Sequence, residues 1–457
     1  GTVAALAHPA VIAHLKKLRV GAVELMPVAA WIDERHLPPL GLANAWGYNP
    51  VVPMALDPGL CPGGIAELRR TVAALHGEGI GVILDVVFNH TGESDALGPT
   101  LSMRGLDGRY YARSGDGALV NDTGTGDTLD FTQEIVRTLT LDTLRHFVTA
   151  AGIDGFRFDL APVLARGPAF APDAPIFAAI AADPVLKDRL LIAEPWDVGP
   201  GGYQLGNFPS NWLEWNDRYR DDVRRFWRGD PHMAGRLATR ITGSSDIFSG
   251  TASRSINFIA SHDGFTLADL VAYEERHNQA NGEGGRDGQD ENFSWNNGAE
   301  GPSDDAAVLA RRQADLRALL ATLFASRGTI MLTAGDEFGR TQQGNNNAYD
   351  QDNAVTWLDW AGRDRALEDY VAALATFRAT HPELGDPAFL IHADWRGLNG
   401  DPMTPQSWDA ADTAGFELRL PGRSGLVVRI DRTARQCTLA AHPLLAAELA
   451  AEDNGQR

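Results

Sequence analysis

The chain has 457 residues, 44% of them hydrophobic, so it is long enough to bury a large core. Its formal net charge of -20 argues against nucleic acid or an anionic membrane surface as the main partner, whereas a neutral polymer is compatible with it. Its two cysteines, Cys61 and Cys437, are far apart, no apolar run approaches the length of a membrane span, and the first residues show no signal pattern, so we expect a cytoplasmic protein without disulfides.

Strand-like and helical segments alternate along most of the chain. Helical spacing of apolar residues is found at 9–19, 64–76 and 134–150. Apolar runs typical of buried parallel strands lie near 20–28, 79–88, 152–159, 190–195, 211–216, 255–261 and 328–334. This alternation predicts a (β/α)8 TIM-type barrel. Such a barrel needs one more strand than these, so we expect that its first strand precedes the opening helix and is lacking in this chain.

The C-terminal part of the chain changes character after a predicted last barrel helix at 362–380. Alternating residues at 416–420 and a β-branched run at 426–430 predict a small β domain. We therefore expect a catalytic barrel domain, truncated at its N-terminus, over residues 1–385. An incomplete C-terminal β-sandwich-like domain is expected over residues 386–457.

Two polar segments are too long to be simple connections. Residues 91–133 are rich in Gly, Asp, Ser and Thr, and residues 274–304 carry many Asn, Gly, Asp and Glu. Long loops in compact domains are often functional, and we interpret both segments in this way. For the second segment, a solvated disordered loop is the alternative.

Residues 155–159 have the sequence GFRFD and are predicted to form a strand. Because side chains alternate along a strand, Arg157 and Asp159 share one face. A guanidinium group beside a carboxylate favours its ionised form, which a nucleophilic carboxylate needs. A purely structural ion pair is the alternative interpretation.

Three other predicted strands also end in polar residues. Their sequences are ILDVVFNH at 83–90, LIAEPWD at 191–197 and INFIASHDG at 256–264. In a barrel of this class the catalytic groups lie where the strands end, so we expect four carboxylates to converge at one mouth: Asp85, Asp159, Glu194 and Asp263. The apolar neighbours of Glu194 disfavour its ionised form, which suits a proton donor.

These four stretches resemble, in the same order, the four signature regions of the α-amylase superfamily of glycoside hydrolases. Residues 44–50 (NAWGYNP), 194–197 (EPWD), 277–288 and 344–349 (GNNNAY) resemble its isoamylase and bacterial glycogen-debranching branch. The resemblance implies a retaining hydrolase that cleaves α-1,6 branch linkages of glycogen or limit dextrin. Alternatives are α-1,4 hydrolysis, branching transfer, trehalose release on the same barrel, or a non-catalytic glucan-binding derivative.

The resemblance also implies a role for each site residue. Asp159 matches the nucleophile, Glu194 the acid/base and Asp263 the carboxylate that holds the sugar hydroxyls. Asp85 is expected to be structural within the site. The expected substrate-binding residues are Tyr48, which would stack on the sugar, and His90, Arg157, His262, Trp46 and Trp196. The expected partner is an α-glucan polysaccharide.

No cofactor and no required metal are expected, although Asn89 occupies a position that ligates calcium in many α-amylases. The family loop Gly-Cys-Gly-Asn reads GTGD here, at residues 124–127. Further aromatic residues could be glucan platforms, but core positions are the more ordinary interpretation for them. They are Trp31, Tyr203, Trp212, Trp215 and Trp227.

Overall fold

The computed structural model describes residues 1–390, 393–420 and 425–441. The chain forms two compact units. The first unit consists of residues 1–215 with 349–351, and the second consists of residues 216–348 with the described residues from 352 onward. No helix among the described residues combines the length and the apolar character needed to cross a membrane.

The first unit is built on parallel strands alternating with helices. Its strands are β1 (Ala22–Leu25), β2 (Ala29–Trp31), β3 (Pro50–Leu56), β4 (Gly81–Val86), β5 (Gly155–Phe158), β6 (Leu190–Ala193) and β7 (Leu213–Trp215). Its helices are α1 (Pro9–Lys17), α2 (Gly64–His76), α3 (Glu134–Ala151) and α4 (Pro175–Ala182). Strands β1, β4, β5, β6 and β7 pair in parallel in that order, whereas β2 and β3 form an antiparallel pair.

Strand β5 lies in the middle of this order, and all four of its residues are buried. Phe158 packs into an aromatic cluster, with its ring centroid 4.8 Å from that of Trp212. Arg157 points to the opposite side, where it contacts carboxylates. The predicted alternation along the strand is therefore confirmed, and it separates an apolar face from a charged one.

Helix α2 of the first unit buries one apolar face. In α2, Leu68, Val72 and Leu75 are buried and recur at the spacing of three or four residues that places side chains on one side of a helix. Helices predicted at 9–19, 64–76 and 134–150 are all present within one or two residues of their expected ends.

The second unit contains two parallel strands and a separate antiparallel sheet. The parallel pair is β8 (Ser255–Asn257) with β9 (Thr329–Ile330), and the antiparallel sheet has the order β10 (Asp394–Gly397), β11 (Gly415–Arg419), β12 (Leu426–Asp431) and β13 (Gln436–Ala441). The helices are α5 (Asp217–Arg228), α6 (Ala234–Ile241), α7 (Leu267–Leu270), α8 (Ala306–Ala325), α9 (Arg365–Thr380), α10 (Pro382–Gly385) and α11 (Pro405–Asp409).

All seven predicted parallel strands are present, and so is the small C-terminal β sheet. The helix predicted at 362–380 is also confirmed, as α9. The domain boundary near residue 386 stays a prediction, and residues 442–457 of the predicted C-terminal domain lie outside the described residues.

Candidate active site

Arg157 joins three of the predicted site carboxylates in the first unit. Its Nη1 donates hydrogen bonds of 2.9 Å to both oxygens of Asp85 and to Oδ1 of Asp159. Its Nη2 lies 3.0 Å from Oε1 of Glu194. These carboxylates come from the ends of β4, β5 and β6, which are adjacent strands. The sequence therefore predicted correctly that these strand ends bring carboxylates together.

The guanidinium group of Arg157 contacts both predicted catalytic groups, and not Asp159 alone as the sequence suggested. Nη2 of Arg157 has no hydrogen-bond partner, so its contact with Glu194 is an ion pair without the geometry of a hydrogen bond. Burial opposes the charged form of Arg157, but Asp85, Glu194, Tyr48 and Asp159 together raise its pKa well above the usual range. Arg157 is therefore a permanent positive charge between the two carboxylates.

Asn89 is a site residue whose role the sequence did not predict. Its Nδ2 donates hydrogen bonds of 2.7 Å to Oδ2 of Asp159 and 2.9 Å to the backbone oxygen of Asp159. Each carboxylate oxygen of Asp159 thus accepts from a fixed donor, Oδ1 from Arg157 and Oδ2 from Asn89. Such donors stabilise negative charge, which suits a nucleophile.

The backbone after Asp159 reaches Glu194 through Leu160. Leu160 has φ of 40° and ψ of 51°, a left-handed conformation that is strained for a residue with a branched side chain. In this conformation its N–H donates a 2.7 Å hydrogen bond to Oε2 of Glu194. The next amide, of Ala161, donates to the backbone oxygen of Glu194 at 3.0 Å. The strained turn therefore fixes the position of one predicted catalytic residue relative to the other.

Tyr48 and Trp46 are half-buried aromatic side chains on the loop between β2 and β3. The Tyr48 hydroxyl donates a 2.5 Å hydrogen bond to Oδ2 of Asp85, and the Trp46 ring meets the Tyr48 ring edge-on, with centroids 6.3 Å apart. Between them Gly47 has φ of +84°, and a Cβ there would lie 3.0 Å from the backbone oxygen of Pro27. The loop therefore requires glycine between the two aromatic residues.

Asn44 holds this loop in shape. Its Oδ1 accepts hydrogen bonds from the backbone amides of Trp46 at 2.9 Å and Gly47 at 2.8 Å, while its Nδ2 donates to Glu34. The sequence included Asn44 in a motif but assigned it no role. Its function as a turn-forming side chain is typical of asparagine, so the residue type was the available signal.

His90 has protein partners at both ring nitrogens. Its Nε2 donates to the backbone oxygen of Tyr48 at 2.8 Å, and its Nδ1 lies against Oδ1 of Asn89. Burial lowers the pKa of His90, while the nearby Asp159 opposes that shift. The predicted contact of His90 with a sugar hydroxyl stays a prediction.

Glu24, on β1, is another acidic residue of this cluster that the sequence did not predict. Burial and, to a smaller extent, the charge of Asp85 raise its pKa to about 8, although Arg157 acts in the opposite direction. Burial likewise raises the pKa of Asp85, against the effect of Arg157. The guanidinium group of Arg157 thus interacts with several acidic side chains, and the raised pKa of Glu24 favours its protonated form.

Among the other aromatic residues, the structure separates core from surface. Trp212, Trp215 and Trp227 are buried, in agreement with the core interpretation. Trp215 has a role in the site nevertheless, because the Arg157 guanidinium carbon lies 4.3 Å from its ring centroid. Trp196 lies two residues after Glu194 and is half-buried, and Tyr203 is exposed.

Asp263 and His262 belong to the second unit, where they follow β8 and are half-buried. Asp263 accepts a 2.6 Å hydrogen bond from Oγ of Ser261 at Oδ1 and a 2.9 Å hydrogen bond from Nε2 of Gln289 at Oδ2. The convergence of Asp263 with the carboxylates of the first unit stays a prediction. Neither of its two donors was predicted from the sequence.

The segment 91–133 is organised around the buried carboxylate of Glu93. Its oxygens accept hydrogen bonds of 2.8 Å from the backbone amides of Leu101, Ser102 and Arg104, and also a hydrogen bond from the Tyr111 hydroxyl. These contacts lower the pKa of Glu93 even though burial acts in the opposite direction. The segment is therefore an ordered excursion and not a simple connection.

Asp127, in the loop that departs from the family pattern, is predicted to make stability depend on pH. Its oxygens accept 2.9 Å hydrogen bonds from the amide and hydroxyl of Thr91, yet burial raises its pKa from 3.8 to about 7. Between these values the folded chain keeps a proton that the unfolded chain has lost, so the free energy of unfolding falls as pH rises.

We therefore expect Asp127→Asn, which cannot ionise, to be more stable than the unsubstituted chain, with a difference that grows between about pH 4 and about pH 7 to more than about 1 kcal/mol. Urea denaturation of both proteins across this range measures the difference. A difference that stays constant with pH would show that Asp127 is ionised in the folded chain.

Within the described residues, no group of three or more His, Cys, Asp or Glu side chains is arranged to hold a metal ion. Asn89, at the position that suggested calcium, instead donates its amide hydrogens to Asp159. That no metal is required stays a prediction.

Comparisons with known proteins place these features in a family. No protein-family profile matches the chain. The glycogen debranching enzyme of Serratia proteamaculans (strain 568) is 49% identical over 456 residues, which cover 96% of this chain and 68% of that protein. The glycogen debranching enzyme of Yersinia enterocolitica (serotype O:8 / biotype 1B) is 48% identical, with the same two coverages.

Solved structures agree on the fold. Pullulanase type I from Bacillus subtilis str. 168, complexed with maltose, has a TM-score of 0.71 at 24% identity. The match covers 92% of this chain and 57% of the pullulanase chain. This similarity confirms the predicted TIM-type barrel fold. The identity to the curated relatives shows that the chain belongs to the family of bacterial glycogen debranching enzymes.

Proposed function

We propose that this chain is a retaining glycoside hydrolase that cleaves the α-1,6 branch linkages of glycogen and limit dextrin. The observation that carries the proposal is the placement of Asp159 and Glu194, from adjacent strands, on one buried guanidinium group. The name of the relatives, glycogen debranching enzyme, supports the substrate class. The pullulanase that shares the fold was solved with maltose, which supports an α-glucan ligand.

In this proposal Asp159 attacks the anomeric carbon while Glu194 donates its proton to the departing glycosidic oxygen. A covalent glycosyl ester on Asp159 forms, and the glucan chain that carried the branch leaves with the proton of Glu194. Glu194, now ionised, then takes a proton from water as that water attacks the ester, which frees Asp159 and restores Glu194. Two inversions at the same carbon give net retention.

The remaining residues would bind the substrate. Tyr48 offers a flat ring for the apolar face of a glucose unit, and its hydroxyl is already oriented by Asp85. Asp263 would hold sugar hydroxyls as the ring flattens toward the oxocarbenium-like transition state. Contacts from His90, His262, Trp46 and Trp196 are proposed on the family resemblance, and Asp85 would support Arg157 and Tyr48.

The bond that is cut is the first property to test. A branch point presents two chains joined by an extra flexible bond, so its site needs an open groove formed by loops such as that of Tyr48. We expect this protein to release short linear chains from limit dextrin and to leave linear amylose almost untouched. A linear chain would place its bond poorly against Glu194, and misplacement by about 1 Å can cost roughly 100-fold in rate. Chromatography of the products measures both reactions.

The outcomes separate the alternatives. Release of maltose or glucose from amylose would identify an α-1,4 hydrolase, and new branches on amylose would identify a transferase. Binding of both glucans without any product would support a non-catalytic glucan-binding protein. Each of these results contradicts the proposed debranching activity.

We also propose a cytoplasmic location, with no nucleic acid or membrane partner and no cofactor. The net charge of -20 and the two free, buried cysteines, Cys61 and Cys437, support this proposal. Fractionation of the source cells with an antibody against the chain tests the location.

A further inference from the structure

Gln289 lies one residue beyond the stretch at 277–288 that resembles the debranching branch. Its Nε2 donates a 2.9 Å hydrogen bond to Oδ2 of Asp263. The other oxygen of Asp263, Oδ1, accepts from Oγ of Ser261 at 2.6 Å. Each oxygen of the proposed stabilising carboxylate is therefore oriented by an uncharged donor.

The backbone of Gln289 is fixed by the buried side chain of Asn346. Nδ2 of Asn346 donates 2.9 Å hydrogen bonds to the backbone oxygen of Gln289 and to Oδ1 of Asn292, and its Oδ1 accepts from Asn278 at 2.8 Å. Asn346 is 1% exposed, so water does not compete for the atoms that form these hydrogen bonds. The position of the Gln289 main chain is thus determined by a satisfied polar network.

Asn346 also binds the segment that carries Asp263. The backbone amide of Gly264, the residue after Asp263, donates a 2.9 Å hydrogen bond to the backbone oxygen of Asn346. One residue therefore fixes both the donor, Gln289, and the backbone beside the acceptor, Asp263.

A second, independent connection comes from Arg224 on α5. This buried guanidinium group donates to the backbone oxygen of Ile259 from Nε at 2.9 Å and from Nη2 at 2.6 Å. Its Nη1 donates to the backbone oxygen of Asn292 at 3.0 Å. Ile259 and Asn292 lie a few residues from Asp263 and Gln289, so the two segments are held together on both sides of the contact.

The close approach of these segments depends on Gly288. Its φ is +81°, and a Cβ there would lie 2.2 Å from Oδ1 of Asn346 and 2.8 Å from Nδ2 of Asn278. Only glycine fits this position. The backbone that leads into Gln289 is therefore built against the Asn346 network.

We propose that Gln289 is a positioning residue that holds the carboxylate of Asp263 in its sugar-binding orientation. An amide donor suits this role because it carries no charge, so it orients the carboxylate without neutralising it. The inference rests on the proposed debranching function and deepens it. It assigns to Gln289 no direct contact with the reacting atoms.

Gln289→Met and Gln289→Glu test the assignment with limit dextrin as substrate. The methionine variant keeps the length of the side chain and loses the donor, and we expect kcat/KM to fall by about 10-fold to 100-fold at every pH. The glutamate variant places a second carboxyl group beside Asp263. This group can donate a hydrogen bond to Asp263 only while the pair holds a proton, so the activity of the variant depends on pH. We expect its kcat/KM, relative to the unsubstituted chain, to fall by about 10-fold or more between about pH 5.5 and about pH 8.

Gln406, an exposed glutamine on α11, is the matched control. Gln406→Met and Gln406→Glu are expected to keep the activity and pH profile of the unsubstituted chain. A glutamate variant at 289 whose relative activity does not change with pH would overturn the positioning role, because a structural role alone would change stability and not the pH profile. If thermal unfolding shows that one of the two Gln289 variants is not folded, the other variant provides the test. Absence of debranching by the unsubstituted chain would overturn the proposed function itself and with it this inference.

Discussion

Asp159→Asn is expected to lower kcat on limit dextrin by about 10,000-fold or more, because the substitution removes the nucleophile and keeps its volume. In this variant the asparagine Oδ1 can still accept from Arg157 at the position of the present 2.9 Å bond, whereas its Nδ2 replaces the oxygen that now accepts from Nδ2 of Asn89, so thermal unfolding is measured beside the kinetics. Binding of limit dextrin should be largely retained. Steady-state kinetics and calorimetric titration measure the two quantities separately.

The cost of the Asp159 substitution should not depend on the leaving group. An α-maltosyl fluoride releases fluoride without needing a proton, but it still requires the nucleophile, so the loss should be similarly large on this substrate. Asp130→Asn is a matched control, because Asp130 belongs to the excursion at 91–133 and hydrogen-bonds to Thr132 and Gln133. Substantial turnover by Asp159→Asn on either substrate would contradict the nucleophile assignment.

Glu194→Gln is expected to lower kcat on limit dextrin by about 1,000-fold to 10,000-fold, because the leaving glycosidic oxygen can no longer receive a proton. Glutamine can still accept the 2.7 Å hydrogen bond from the Leu160 amide, so the strained turn after Asp159 should persist. On α-maltosyl fluoride the formation of the glycosyl ester should proceed nearly as fast as in the unsubstituted chain. A burst of fluoride release, followed by slow hydrolysis, is the expected signature.

Both substitutions are therefore expected to impair cleavage of limit dextrin, and only Glu194→Gln is expected to keep fast formation of the glycosyl ester from α-maltosyl fluoride. Added azide should accelerate the second step of Glu194→Gln, because this anion attacks the ester without a general base, and the product should be an α-glycosyl azide. A β-glycosyl azide would instead indicate inversion. Equal losses on limit dextrin and on the fluoride would argue that Glu194 is not the acid.

Because Arg157 keeps other partners, we expect both substitutions to change the reaction rate more than the stability of the fold. Arg157 is fully buried and bound by Asp85 as well as by the two catalytic candidates. Neutralising one carboxylate leaves Asp85 and the other carboxylate as partners, so the guanidinium group is not left unpaired. The alternative of a purely structural ion pair predicts loss of folding on substitution, which thermal unfolding would detect.

The sequence alone determined the elements and the chemistry of the site. Seven apolar runs of strand length and the helical spacing between them are local patterns, and local patterns decide whether a segment forms a strand or a helix. The polar residues at the strand ends are equally local, because parallel strands in a barrel direct their carboxyl ends to one side. For this reason Asp85, Arg157, Asp159 and Glu194 could be predicted together before any contact was known.

Only the tertiary structure decided which donors orient these groups. Asn89 binds Asp159 across 70 residues of sequence, the Leu160 amide binds Glu194 across 34, and Gln289 binds Asp263 across 26. A hydrogen bond depends on atomic positions within a few tenths of an ångström, and those follow from the pairing of strands and the path of loops. No spacing in the chain encodes them, so residue types predict the chemistry of this site and packing determines its geometry.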